Sequence, residues 1–253
     1  MIHPSAYVSP SAKVPDSACV GPWCVVDDGA ELGENVVLQS RVHVCSWTSV
    51  GDGTVVGDGS VLGGAPQDLK YAGEPTRLVI GGNCTIREYC TLNRGTAATG
   101  ETRVGNSVLI MAYTHVAHDC RIGDFAVISN RVDMGGHVHI GEYATVGGQA
   151  GISQCMTVGA YSFVGAMLKV DRDVPPASRA LGSPLAWAGL NLHALRKYPD
   201  LFPESRIVAI DRAYRELYRS GRPIAEIAEE YKKSPEPLLR DFFETWRGTL
   251  IRP

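Results

Sequence analysis

The 253-residue chain is short of phenylalanine, with only 5. That scarcity argues against a bulky aromatic core, and the 28 glycines point to tightly turning, small-residue packing instead. Positive charge is not in excess either. A formal net charge of −3 argues against a general nucleic-acid binder, which needs a basic surface. No apolar run approaches the roughly 18 residues that span a bilayer, so no transmembrane segment is expected. The opening Met1-Ile2-His3-Pro4-Ser5-Ala6 carries neither a basic stretch nor an apolar stretch of signal-peptide type, and a cytoplasmic protein is expected. The seven cysteines are odd in number and none form a Cys-x-x-Cys pair, against a disulfide framework or a zinc ribbon. A phosphate-binding P-loop and a Gly-x-Ser-x-Gly elbow are missing as well.

What is present is a repeat. Stepping by six from Val8 gives Val14, Val20, Val26, Leu32, Leu38 and onward to Val170. The series is interrupted only at Asp68, Glu74 and Ala98. Neither a 3.6-residue period nor simple alternation produces this spacing. Two positions before each aliphatic residue there is usually a small one, such as Ala18, Cys24, Thr54, Ser60, Cys84, Cys90, Cys120 or Ala126. Cysteine in that slot is expected to be a small buried hydrophobe. One position after it, glycine recurs, as at Gly21, Gly33, Gly51, Gly105, Gly123 and Gly141.

Residues two apart on an extended chain point the same way, so each hexad reads as a short strand turning a corner. Three hexads close one 18-residue triangular coil, and stacked coils bury one continuous aliphatic column. The glycines are expected to supply the unusual backbone angles of the corners. Residues 63–79 and 93–103 keep the phase but are polar and rich in Gly or Pro, and they read as loops leaving the prism. Loops on a rigid scaffold are where function tends to sit.

The repeat stops near residue 172. From about Asn191 the character is helical. Ser205 to Arg219 places Ile207, Ile210, Ala213, Tyr214 and Leu217 on one face. Gly221 and Pro223 mark a stop and a restart, and Ser234-Pro235 opens a last helix bearing Leu238, Leu239, Phe242, Phe243 and Trp246. The expected division is a β-helix over 1–190 and a small helical domain over 191–253.

Coil arithmetic selects one polar patch. Adding 18 to His118 reaches Gly136 and then Gln154, and adding 18 to Asp119 reaches His137. These residues should share stacked rungs about 4.8 Å apart. Other hexad histidines, such as His43 and His139, read as exposed side chains.

Along essentially its full length the chain resembles the UDP-N-acetylglucosamine O-acyltransferases that begin lipid A synthesis. The resemblance is carried by Gln67-Asp68-Leu69-Lys70-Tyr71-Ala72-Gly73-Glu74-Pro75-Thr76-Arg77, Arg94-Gly95-Thr96, Ala117-His118-Asp119-Cys120, Gly136-His137, Asp173-Val174-Pro175-Pro176, Gly189-Leu190-Asn191 and Tyr218-Arg219-Ser220-Gly221. It implies an all-β left-handed parallel β-helix of hexapeptide repeats followed by a small α-helical C-terminal domain.

The resemblance also implies that His118 is the general base on the sugar 3-hydroxyl. The donor would be a hydroxyacyl group on acyl carrier protein, with Asp119 orienting His118 and the Gly136 N–H as oxyanion donor. Neighbouring side chains on a strand face opposite ways, so the His118–Asp119 partnership requires a corner. Gln67, Asp68, Lys70, His115, His137, Gln154, Asn191 and Lys197 fall at substrate-contacting positions, and Ala166 with Met167 at the acyl-measuring end. The family works as a homotrimer with sites between subunits, and neither a cofactor nor a metal is implied. Arg172, Arg212 and Arg215 could meet the acidic carrier, and a solvated face explains them equally well.

Three polar positions depart from the family pattern: Asn93 and Ser153 stand where it has histidine, and His193 where it has glutamate. An altered acceptor, such as a 3-amino sugar nucleotide, is one consequence to test. A γ-type carbonic anhydrase on the same fold needs three zinc-binding histidines, and His115-x-x-His118 has the wrong spacing. A non-catalytic hexapeptide-repeat protein is the remaining alternative.

Overall fold

The computed structural model describes residues 1–246, 248 and 250–253. Among these, three sheets of nine, seven and ten strands form the faces of a triangular prism. Most strands are two residues long, and within each face they pair in parallel with a partner 18 residues on, as His115–Val116 pairs with Asp133–Met134. The coil is left-handed. Its axis is filled by the six-residue series: Val26, Val44, Leu62, Leu92, Val116 and Met134 are all buried in one core. Each such side chain contributes roughly 1.5–3 kcal/mol by leaving water.

The small slot has a second purpose. Cys84, Cys90 and Cys120 donate their thiols to the carbonyls of Gly105, Met111 and Gly135 at 3.0, 3.2 and 3.2 Å. Thr54 and Ser60 do the same to Gly81 and Arg87 at 2.9 and 2.8 Å. Small residues with a donor are therefore favoured there, because they satisfy a corner carbonyl that no strand reaches.

The corners overturn one expectation. The left-handed backbone falls three positions after most of the aliphatic residues, and mostly on side-chain-bearing residues such as Asn35 (φ 56°), Arg41 (φ 58°), Asp119 (φ 61°) and His137 (φ 61°). The recurrent glycines one position after the aliphatic residue have ordinary φ. They are small because the coils touch there: a Cβ on Gly21 would fall 2.7 Å from Gln39 O, and one on Gly141 2.3 Å from Ala160 N.

Both in-phase interruptions are shorter than expected. Val61–Gly64 and Arg77–Ile80 are strands, and Thr91–Asn93 and Glu101–Val104 are strands, so only 65–76 and 94–100 leave the faces. Leu78 pairs with Thr48 thirty residues back, and Glu101 with Arg77 twenty-four back. Insertions of 12 and 6 residues are whole hexads, which is why the phase survives them.

The β-helix ends in an antiparallel hairpin, Ser178–Leu181 with Ala186–Leu190. Among the described residues four helices follow: α1 Leu192–Arg196, α2 Glu204–Arg219, α3 Ile224–Tyr231 and α4 Pro237–Thr245. All five α2 residues expected on one face are buried. They join Tyr161 and Ala177 of the prism, α1, α3 and α4 in a second core. The last helix begins later than Ser234-Pro235 suggested. Glu236, preceding Pro237, is held extended and caps the Leu238 N–H, so the first helical residue is Pro237. The chain then returns to the prism, where Asp173 bridges to Leu250 and Ile251 enters the first core.

Candidate active site

One corner of the prism gathers most of the chemistry. Its strands include Thr91–Asn93, His115–Val116 and Asp133–Met134, stacked in register. The turn that follows them presents Arg94 and Gly95, then His118 and Asp119, then Gly136 and His137, then Gln154 and Cys155 on successive rungs. The backbone N–H of His137 donates to His118 O at 3.0 Å, and that of Cys155 to Gly136 O at 2.9 Å, fixing this stacking.

The left-handed φ of Asp119 answers the objection that adjacent side chains diverge. It turns the carboxylate back to the imidazole, and His118 Nδ1 lies 2.7 Å from Asp119 Oδ2. The side chain of Asp119 is fully buried and that of His118 is 13% exposed. A carboxylate accepting from Nδ1 holds the proton there and leaves Nε2 as the basic atom. Among the described residues nothing donates to that Nε2.

Asp119 does more than face His118. Its carboxylate accepts the Thr96 N–H at 3.0 Å, the Thr96 hydroxyl at 2.8 Å and the Thr99 hydroxyl, while its own N–H donates to Thr102 Oγ1 at 2.8 Å. Burial disfavours its charge, yet the hydrogen bonds from Thr99, His118 and Thr96 outweigh burial and hold the carboxyl below the usual range. Segment 94–100 is thus folded back over the corner and tied to it. Sequence reasoning did not assign Thr96, Thr99 and Thr102 to the site, although Arg94-Gly95-Thr96 marked the place.

Gly136 lies under the His118 ring. A Cβ there would fall 2.5 Å from Cε1 and 2.6 Å from Nε2, so glycine is required for the imidazole to sit where it does. Among the described residues the Gly136 N–H has no acceptor, which leaves it available to an external oxygen. The His137 ring meets that of His118 edge to face, centroids 5.2 Å apart, and its Nε2 is 3.6 Å from Asp119 Oδ2. The donor atoms of His118, Asp119 and His137 lie within 4.8 Å of one another. Cys120, next in sequence, points into the core. Burial pushes its thiol up to about 12, so it stays protonated and is no nucleophile.

The other expected residues divide into near and far. Gln154 is exposed one rung beyond Gly136. His115 lies on the face leading into the corner, its Nδ1 2.7 Å from Thr91 Oγ1, and burial lowers its pKa against the opposing charge of Asp133. Gln67, Asp68 and Lys70 are in segment 65–76, where Asp68 accepts the Lys70 N–H at 3.0 Å. That segment is clamped at Arg94, whose guanidinium donates to the Tyr71 hydroxyl at 3.0 Å and lies over Trp47.

Ala166 and Met167 are at another corner of the prism, and Asn191 and Lys197 flank α1. Asn191 is buried, donates to Tyr161 O at 2.9 Å and caps α1 through Ala194 N, which binds the helices to the prism. Lys197 ends α1, its ammonium 5.7 Å from the Tyr198 ring centroid. Met167 is 75% exposed at a left-handed corner, beside exposed Ala166. A cavity of about 220 Å³ between the prism and α4, lined partly by Glu142, Thr157, Pro176 and Phe242, includes none of these residues.

A histidine held in one tautomer by a buried carboxylate, beside a free N–H on a hexapeptide-repeat prism, suits proton transfer to and from an acyl acceptor. The class is that of the hexapeptide-repeat acyltransferases. The profile described as bacterial transferase hexapeptide (six repeats) matches residues 29–64 and 101–132, and that of UDP-N-acetylglucosamine O-acyltransferase, domain 2, matches residues 173–249. The acyl-[acyl-carrier-protein]–UDP-N-acetylglucosamine O-acyltransferase of Saccharophagus degradans is 43% identical over 95% of this chain and 91% of its own. That of Janthinobacterium sp. is 37% identical over 100% and 99%. The solved UDP-N-acetylglucosamine O-acyltransferase of Moraxella catarrhalis superposes with a TM-score of 0.92 at 38% identity, covering 99% of both chains. That of Bacteroides fragilis gives 0.93 at 33%, covering 100% of both. The chain belongs to the UDP-N-acetylglucosamine O-acyltransferase family.

Proposed function

We propose that the protein transfers a 3-hydroxyacyl group from acyl carrier protein to the 3-hydroxyl of UDP-N-acetylglucosamine, the opening step of lipid A synthesis, in the cytoplasm. The observation that carries the mechanism is the buried His118–Asp119 pair with Nε2 left free. His118 Nε2 takes the sugar hydroxyl proton as the oxygen attacks the thioester carbonyl. The carbonyl electrons move onto oxygen, facing the Gly136 N–H. Collapse expels the carrier thiolate, which recovers the proton from His118. The products are an ester and a free carrier thiol, and Asp119 stabilises the transient imidazolium. His115, His137, Gln154, Gln67, Asp68 and Lys70 hold the sugar nucleotide in this reading.

Asn191, Lys197, Ala166 and Met167 serve a neighbouring chain's site. Their positions, at another corner of the prism and at the two ends of α1, support this reading, with a homotrimer as the working unit. A solution mass of three chains is expected. The acyl slot ends at Ala166, and its methyl shortens the slot by about one or two methylenes, each worth roughly 0.8 kcal/mol when buried. Ala166→Gly should therefore shift the preferred hydroxyacyl chain longer; an unchanged chain-length profile removes Ala166 as the measure.

A second reading concerns the acceptor. Asn93 is 6% exposed, gives its amide hydrogen to Ala65 O at 3.0 Å, and leaves Oδ1 buried with no donor among the described residues. An unpaired acceptor one rung from Ala117 suits a ligand that brings an extra N–H, as a 3-amino sugar would. Purified protein assayed with acyl carrier protein and each nucleotide in turn tests both readings. Faster turnover of UDP-N-acetylglucosamine removes the amino analogue, and turnover of neither removes the acyltransferase.

A further inference from the structure

The same corner carries a second set of donor atoms, three rungs before His118 and outside the proposed mechanism. Val25–Val26 pairs in parallel with His43–Val44, and the Asp27 N–H donates to Val44 O at 2.9 Å. Asp27 and Cys45 are one coil apart, while His43 and Cys45 are two residues apart on one extended segment. Side chains so placed leave the prism on the same side. A carboxylate oxygen of Asp27, a ring nitrogen of His43 and the Cys45 sulfur lie within 4.8 Å of one another. All three residues are half-buried, so His43 is not the free surface side chain its hexad position suggested. Its Nε2 is 2.8 Å from Asp27 Oδ2.

We propose that Asp27, His43 and Cys45 form a binding site for one divalent transition-metal ion of the zinc class. Thiolate, imidazole and carboxylate together are a donor set of intermediate softness, which suits zinc and excludes the hard, oxygen-seeking magnesium and calcium. Tetrahedral bonds of about 2.0–2.3 Å set neighbouring ligand atoms roughly 3.3–3.8 Å apart, so Asp27 and His43 open slightly from 2.8 Å and Cys45 closes from within 4.8 Å, changes within reach of side-chain rotation. The ion replaces the hydrogen between Asp27 and His43: the neutral imidazole carries its single N–H at Nδ1 and binds through Nε2, while the thiol proton of Cys45 passes to water. Three protein ligands leave one tetrahedral position for a solvent molecule.

The surroundings fit. Gly63, on the next rung, adds no side chain over Cys45; its Cβ would stand 3.6 Å from that of Cys45. Arg94 is the nearby cation, and it is already held over Trp47 at 5.0 Å and bonded to Tyr71. Two anionic ligands neutralise a divalent ion, so this guanidinium need not move. Among the described residues the Asp27 carboxylate has no hydrogen-bond partner except His43, and is free to turn to a metal.

The test adds Zn2+ or Co2+ alone to the full-length protein. One Zn2+ per chain is expected, and the Co2+ form should show the intense thiolate-to-metal absorption. Zn2+ should slow alkylation of Cys45, mapped by mass spectrometry, and leave exposed Cys19 unaffected. Loss of a single ligand by Cys45→Ser or His43→Ala should weaken binding by at least about tenfold, with His137→Ala without effect. The proposal is overturned if Co2+ gives no thiolate band, if Zn2+ leaves Cys45 alkylation unchanged, or if His137→Ala and not His43→Ala removes the ion. The alkylation reading uses the unaltered chain, so a variant that fails to fold does not blur the outcome.

Discussion

Two clusters of three donors share one corner of this prism, and they differ in what surrounds the carboxylate. Asp119 is buried, bears a left-handed backbone and is saturated by Thr96, Thr99 and His118. Asp27 is half-buried and, among the described residues, its carboxylate meets only His43. The six-residue repeat places both sets with the same ease. The difference comes from segment 94–100, which covers one and not the other. A saturated carboxylate is committed to orienting its histidine, whereas one with free lone pairs can accept an ion. On the roles proposed for the two clusters, scaffold position supplies proximity, and the covering segment decides between proton transfer and ligation.

The largest expected effect sharpens that contrast. His118→Ala should lower kcat by at least about a hundredfold, the usual value of a general base, with little change in KM. His43→Ala, on the other cluster, should leave turnover within the scatter of the assay. Comparable losses from both would erase the distinction drawn between the clusters.

Gly136→Ala is expected to come next. The added Cβ, 2.5 Å from His118 Cε1, must displace the ring. A misplacement of that size costs about tenfold to a hundredfold in kcat. Circular dichroism should stay as in the wild type, because the backbone φ at Gly136 is an ordinary one. Full activity would mean that the imidazole need not rest on this glycine.

The smallest effect is on stability. Asp119 has its folded pKa held down, so its ionised form stabilises the fold. That contribution is complete above the unfolded value of about 3.9 and is lost as the pH falls through the depressed folded value. Asp119→Asn should lower Tm near neutrality, and the gap to the wild type should close on acidification below about pH 4. A gap that stays constant from neutral to acid pH would show that the charge of Asp119 does not support segment 94–100.

Much of the fold was legible because the repeat is a direct record of packing. A residue every six must be aliphatic to fill the axis, and insertions must be whole hexads to keep it filled. The helix over Glu204–Arg219 was legible for the same reason, since its buried face follows the helical period. The corners were misread. Glycine suggests left-handed backbone by habit, but here it marks contact between coils, while Asn35, Arg41 and His137 carry the positive φ. Nothing in a period distinguishes those two uses.

The site was legible only in outline. Coil arithmetic brought His118, Gly136 and His137 together, because rung spacing is fixed by strand pairing. It could not supply Thr96, Thr99 and Thr102, which arrive from a segment outside the repeat. It also could not show that His43 faces Asp27 or that Asn93 carries an unpaired oxygen, since both depend on which way side chains lean from the corner.

By itself, then, the sequence determined the prism, its rungs and the helical end, because these follow from spacing between neighbours along the chain. The tertiary structure alone decided which carboxylate is saturated, which glycine carries a ring and which histidines have partners. Those outcomes rest on contacts between segments whose separation in sequence has no period.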